Sequence, residues 1–151
     1  MATPASFLDI GETLGMATAG AGGQLSLELF PFVLDILRAM SKPAAQGGLG
    51  HRLGVISNTG TESAASMQSL LANAGLLPLL DSQLLLFSSV EGIDKSKPAL
   101  FVRAAQRAGV PAGRCLYVGE NATERAVASQ AGFNVAFHLL HAFHVARAIT
   151  R

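Results

Sequence analysis

Asp9 lies at the end of the apolar run Phe7-Leu8-Asp9-Ile10 and is followed at once by Gly11-Glu12-Thr13-Leu14. An apolar strand that stops on a carboxylate and a tight Gly-containing turn presents that carboxylate at a sheet's edge, where it can do phosphoryl chemistry. A second run, Leu53-Gly54-Val55-Ile56, ends in Ser57-Asn58-Thr59-Gly60. That segment offers a hydroxyl, an amide and backbone N–H groups near a helix start, a common way to hold phosphate oxygens. A third run, Leu84 to Phe87, is followed by Lys95 and Lys97, and a fourth, Cys115 to Val118, leads into Gly119-Glu120-Asn121-Ala122-Thr123-Glu124. Each element alone is common in α/β proteins, whereas nucleophile, hydroxyl, ammonium and acids at four successive strand ends form the set that phosphoryl transfer needs.

The elements that must position these groups follow from periodicity. Five short aliphatic runs read as strands: Phe7 to Ile10, Leu53 to Ile56, Leu84 to Phe87, Cys115 to Val118 and Val135 to Phe137. Between them, Val33, Ile36, Leu37 and Met40 recur at helical spacing, as do Met67, Leu70, Leu71 and Ala74, then Phe101, Ala104, Ala105 and Ala108. Leu139, Ala142, Phe143 and Ala146 predict a C-terminal helix. Parallel strands need crossover connections, so this alternation predicts a doubly wound, Rossmann-like α/β fold: a five-stranded parallel sheet with helices on both faces. Of two Gly-rich loops, 44–50 joins a helix to a strand, and 15–28 is expected to form a flap over the Asp9 site.

The stretch from Phe7 to Leu14 resembles the first motif of the haloacid dehalogenase-like (HAD) hydrolases, D-x-D-G-T-L, with Asp9, Thr13 and Leu14 matching and Gly11 in place of the second Asp. Ser57 stands where the family's second motif has Ser or Thr. Ser88 to Phe101 is similar to the third-motif region S-x-x-x-G-x-x-K-P-D-P-x-x-F; counting from Gly92 and Phe101 makes Lys95 the motif lysine, with Lys97 as the fallback. Gly119 to Glu124 resembles the fourth motif, G-D-x-x-x-D, with Glu120 and Glu124 replacing both aspartates. The resemblance covers nearly the whole chain. It implies an HAD-like core in which Asp9 forms an aspartyl-phosphate, Ser57 and Lys95 complete the catalytic set, and Asn58, Thr13 and Glu12 contact the substrate. It also implies Mg²⁺ held by Asp9, the Gly11 carbonyl, Glu120 and Glu124. Mg²⁺ accepts one or two carboxylates plus carbonyl, water and phosphate, and Glu replaces Asp only if the backbone retreats by about a methylene or a water intervenes.

In that family the second Asp protonates the leaving oxygen and later activates water, which Gly11 cannot do. Glu12 is one position off, and adjacent side chains on an extended segment point to opposite sides. Loss of a general acid/base costs about 10²- to 10⁴-fold, so a slow Mg²⁺-dependent phosphohydrolase is expected. The alternative is an impaired HAD-fold binding or regulatory module, suggested by Gly11, the two Glu-for-Asp changes and the apolar composition. HAD enzymes acting on small molecules usually carry a cap after the first motif or between the second and third. Residues 15–28 have room only for a turn and hairpin, and Phe87 to Lys95 only for a short loop. An open site is therefore expected, suited to an extended or macromolecular phosphorylated substrate or to a lid from an oligomeric partner. A haloacid dehalogenase proper is disfavoured.

A chain of 151 residues, half of them apolar, suits a single domain spanning 1–151. A net charge of +1 with 14% charged residues provides no basic field for a polynucleotide or an anionic membrane. Without a signal sequence or an apolar span of roughly 18 residues, a soluble, cytoplasmic protein is expected. The apolar content suggests that a second copy or another partner covers some surface. Cys115, the only cysteine, reads as a small core residue. His138, His141 and His144 drift around a helix and lack further ligands, so they and His51 are not read as a metal site. Asn121-Ala122-Thr123 is read as a helix start rather than a glycosylation site. A receiver domain also uses Asp, Ser or Thr, and Lys, but would need an Asp after the third strand, where Ser88 and Ser89 stand.

Overall fold

The computed structural model describes residues 3–150. In chain order the main elements are β1 (Ala5–Leu8), β2 (Gly15–Ala19), β3 (Leu25–Leu29), α1 (Val33–Ser41), β4 (Arg52–Ser57), α2 (Ala64–Asn73) and β5 (Leu85–Phe87). They continue with α3 (Ser88–Glu91), α4 (Pro98–Ala108), β6 (Cys115–Val118), α5 (Ala122–Gln130), β7 (Asn134–Ala136) and α6 (Leu139–Thr150). Five strands form a parallel sheet in the order β5-β4-β1-β6-β7, as the alternation predicts. The chain builds outward from β1 through β4 and β5, then crosses to β6 and β7 on the other side. The carboxyl end of β1 is therefore the topological switch point, where open α/β sheets form their crevice.

Alternation along each strand sends side chains to two separate cores. Leu8, Leu53, Val55, Leu116 and Val118 pack with α1, α2 and α6 on one face. Phe7, Ile56, Leu86 and Tyr117 pack with α4 on the other, where Phe101 meets Tyr117 and Phe133 edge-on at centroid distances of 5.1 and 5.6 Å. The predicted strand Cys115 to Val118 is observed with those bounds and the others differ by one or two residues at an end; the first and last overrun because Ile10 and Phe137 extend an apolar run beyond the last ladder pair. The predicted flap is a β-hairpin: β2 pairs antiparallel with β3. Gly15 permits this, since a Cβ there would lie 2.0 Å from the Glu28 carbonyl oxygen.

His51 is buried at the opposite end of the sheet from the Asp9 turn. Its Nε2 donates to the Ala146 carbonyl at 3.1 Å and lies 3.0 Å from Thr150 Oγ1, which leaves Nδ1 to accept from the Ser6 hydroxyl at 2.8 Å. It thereby ties β1 to α6. Burial, opposed by the Ala146 carbonyl and reinforced by Arg114, holds its pKa below the usual 6.5. A histidine depressed in the folded state is protonated more readily in the unfolded chain, so its contribution is present above about pH 6.5 and is lost as pH falls below it. Thermal unfolding should therefore show a midpoint that drops on acidification through this window, and His51→Gln should remove that part of the slope; identical slopes would contradict the assignment.

Candidate active site

β1 ends at Leu8, and Asp9 extends its pairing by donating its N–H to the Val118 carbonyl at 2.9 Å. The chain then coils tightly: Leu14 N–H reaches the Ile10 carbonyl at 2.9 Å and Glu12 N–H the Gly15 carbonyl at 2.8 Å. Glu12 is not on an extended segment. Its φ is +61°, in the left-handed region, which places its side chain at the exposed edge of the turn. Side chains therefore do not alternate in direction through Glu12 as they would along an extended strand. Such a conformation in a non-glycine residue is costly and concentrates at functional sites.

Lys95 crosses the carboxyl edge of the sheet to this turn. Only 2% exposed, it sets its ammonium 2.6 Å from Asp9 Oδ1 and 2.8 Å from Glu124 Oε1, with the Tyr117 hydroxyl at 3.3 Å. Its backbone N–H donates to Asn58 Oδ1 at 2.9 Å, so the loop after β4 fixes the loop carrying the lysine. Lys97 is exposed and precedes α4, which leaves Lys95 as the lysine that meets Asp9. Ser57 is buried at the last position of β4. Thr13, also buried, accepts from the Glu120 N–H at 3.3 Å and so links the Asp9 turn to the loop after β6. Glu120 itself is exposed, while Asn121 caps α5 by accepting from the Glu124 N–H at 3.0 Å, which orients the first turn that carries Glu124.

Sequence reasoning missed a second polar cluster. Thr59 N–H donates to Ser88 Oγ at 2.8 Å, and Thr59 Oγ1 lies 2.6 Å from Ser89 Oγ, which donates to the Glu62 carbonyl at 2.6 Å. These contacts staple the ends of β4 and β5. The Ser-Ser pair after an apolar strand was the available signal. Beside the cluster lies a groove of about 430 Å³ lined by Asn58, Gly60, Ser88, Gly92, Ile93 and Asp94. Tyr117 gave no signal, because it lies inside the apolar run Cys115 to Val118.

Loss of hydration, followed by the carboxylates of Glu12, Asp9 and Glu124, raises the pKa of the Glu120 carboxyl against the opposing effect of Lys95. The carboxylates of Asp9, Glu12, Glu120 and Glu124 thus outnumber the cations at this edge, Lys95 and Arg125. Hard oxygen donors in excess of local cations are the chemistry that suits Mg²⁺. Among the described residues, however, no three His, Cys, Asp or Glu side chains converge closely enough to hold a metal alone. Bound Mg²⁺ would thus draw on Asp9, the Gly11 carbonyl and Glu120, with water and phosphate completing its shell, while Glu124 is engaged with Lys95. His138, His141 and His144 form no such cluster either; His138 Nδ1 instead accepts from the His141 N–H at 3.2 Å.

A family profile described as haloacid dehalogenase-like hydrolase matches residues 25–132. The chain belongs to the haloacid dehalogenase-like hydrolases. The matched segment carries Ser57, Lys95, Glu120 and Glu124, and Asp9 precedes it. An uncharacterized protein from Corynebacterium glutamicum superposes over 98% of this chain and 95% of its own, with a TM-score of 0.66 and 18% identity, a likeness of fold. A 2-haloacid dehalogenase from Pseudomonas syringae is 28% identical with a TM-score of 0.57, over 72% of this chain and 40% of that one. An HAD family hydrolase from Deinococcus radiodurans, solved with bound phosphate and sodium, is 25% identical with a TM-score of 0.57, over 74% of this chain and 44% of its own. The chain thus spans less than half the length of those two hydrolases. No curated protein matches it. As in the sequence, no helix among the described residues is long and apolar enough to cross a membrane.

In this HAD chain, Lys95→Met would leave Asp9 and Glu124 facing one another without a cation. Removing one partner of a buried pair costs about 3–5 kcal/mol. Urea unfolding should read a loss of that order. An unchanged midpoint would show that the ammonium does not hold the edge together.

Proposed function

We propose that this chain is an Mg²⁺-dependent phosphohydrolase that works through an aspartyl-phosphate at Asp9. The observation that carries the reading is the buried ammonium of Lys95 on Asp9 Oδ1 at 2.6 Å, which leaves Oδ2 uncommitted to attack phosphorus. Attack forms the Oδ2–P bond and breaks the bond to the leaving oxygen; water then cleaves the acyl phosphate and regenerates the carboxylate. Lys95 offsets charge on Asp9 as the phosphoryl group arrives. Ser57, Asn58 and Thr13, with backbone N–H groups at the strand ends, hold the phosphoryl oxygens, and Glu12 borders the entrance. Mg²⁺ supplies electrostatic stabilisation of the transferring group when bound.

Residue 11 sets the rate. Glycine offers no carboxyl to protonate the leaving oxygen, so solvent must do so, and turnover is slow. Substrates with good leaving groups depend least on that proton. Between the first turn and α1 the chain forms only a hairpin, and between β5 and α4 only a short helix and a loop. The site is therefore capless and open, which suits an extended phosphorylated substrate or a lid supplied by a second copy. The second reading, a binding or regulatory module, draws on the same glycine and on carboxylates that do not enclose a metal by themselves.

Two variants decide between the readings. Mg²⁺-dependent phosphate release from an aryl phosphate should vanish in Asp9→Asn; equal rates would remove Asp9 from the mechanism. A Cβ at Gly11 meets nothing within 4 Å, so an acid fits there without displacing a neighbour. Gly11→Asp should raise kcat by about 10²- to 10⁴-fold, the usual worth of a general acid/base. A silent Gly11→Asp variant that still binds phosphate would favour the binding module.

A further inference from the structure

An ammonium group has three N–H donors and accepts nothing. On Lys95 the protein itself takes two of them, through Asp9 Oδ1 at 2.6 Å and the Tyr117 hydroxyl at 3.3 Å, while Glu124 Oε1 pairs with the charge at 2.8 Å. We propose that Tyr117 is a positioning residue that takes one N–H of Lys95, so that this donor is withheld from the reacting group and the ammonium is held on its carboxylates. The geometric part stands on these contacts alone, while the kinetic part rests on the phosphohydrolase reading of Asp9.

Several observations converge on the hydroxyl. In the β1–β6 register Tyr117 lies opposite Phe7, two residues before Asp9, so its side chain rises on the same face of the sheet as the Asp9 carboxylate. The residue is fully buried, with its ring held edge-on by Phe101. A Cβ on Gly119 would lie 2.6 Å from the hydroxyl oxygen and 2.8 Å from two ring carbons, so the tip of the phenol occupies the space that a side chain at 119 would fill. Burial first, then the carboxylates of Asp9, Glu124 and Glu120, push its ionisation far above the usual range, outweighing Arg125. The oxygen is thus a neutral acceptor beside two anionic ones. A third carboxylate there would add charge to an edge already in negative excess, and an apolar group would leave a buried N–H free to turn toward any oxygen that arrives.

The isosteric variant Tyr117→Phe keeps the ring and removes the hydroxyl. The freed N–H should turn to a bound phosphate oxygen, so inorganic phosphate, measured by calorimetry with Mg²⁺ present, should bind roughly two- to tenfold tighter. With the ammonium no longer fixed between its carboxylates, kcat for an aryl phosphate should fall roughly tenfold or more. A role limited to packing would lower affinity, kcat and thermal stability together. Phosphate binding by the wild type with an equal or weaker constant in the variant would overturn this proposal alone; no binding by the wild type would overturn the site reading and the kinetic part with it. The wild-type background offers a second measurement, because Tyr117 is the only tyrosine and the chain has no tryptophan. Its near-UV band should shift in folded Lys95→Met, and an unmoved band would overturn the contact itself.

Discussion

One buried ammonium holds together a site assembled from distant parts of the chain. Asp9 follows the first strand, Lys95 lies 86 residues later, and Glu124 opens a helix beyond the fourth strand of the parallel sheet. Two carboxylates brought this close in a water-poor edge repel each other, and burial deprives each of hydration. The lysine offsets both effects only where it is, which constrains the loop before α4, the turn after β1 and the start of α5 together. Buried ion pairs contribute little net stability against an apolar alternative, so the arrangement is better understood as fixing geometry. Asn58 Oδ1 on the Lys95 N–H and the Thr13 hydroxyl on the Glu120 N–H are the supports that this geometry requires.

Around this pair the chemistry divides by side. Toward β4 and β5 the edge is polar, with Thr59, Ser88 and Ser89 bonded into one cluster and Asn58 Oδ1 accepting from the Lys95 N–H. Toward α1 and α6 it is apolar, with Phe30, Phe32 and Leu140 exposed near Thr13. The negative excess at Glu120 lies between the two. Gly11 carries no carboxyl while these charge-holding parts are in place, so the proposed phosphohydrolase lacks a proton donor and not its charge stabilisation.

Much of this was legible because the signals are local. The alternation of aliphatic runs with amphipathic helices predicted the parallel sheet, and helical spacing located α1, α2, α4 and α6. Asp9, Lys95 and Glu124 were legible as a set through motif spacing. The hairpin was legible only from the length of 15–28 and not as strands: Met16, Ala17, Thr18 and Ala19 are all exposed, so β2 carries no buried face to create a pattern. Glu12 was misjudged because a left-handed φ within a tight turn has no signature when the residue is not glycine. Tyr117 was only part of a predicted strand and His51 only a residue set aside as a metal ligand, since their polar atoms find partners 22 and 95 residues away that no local pattern connects. The Thr59 cluster likewise depends on the relative height of two neighbouring strand ends.

The central claim is that Asp9 Oδ2 becomes phosphorylated beside an ammonium held on Oδ1. Acid quenching of the enzyme during turnover of an aryl phosphate, followed by mass spectrometry of its peptides, tests this most directly. The account predicts a phosphoryl adduct on the peptide containing Asp9 that disappears on hydroxylamine treatment. Phosphate release with no adduct there, or with the adduct on another residue, would contradict it.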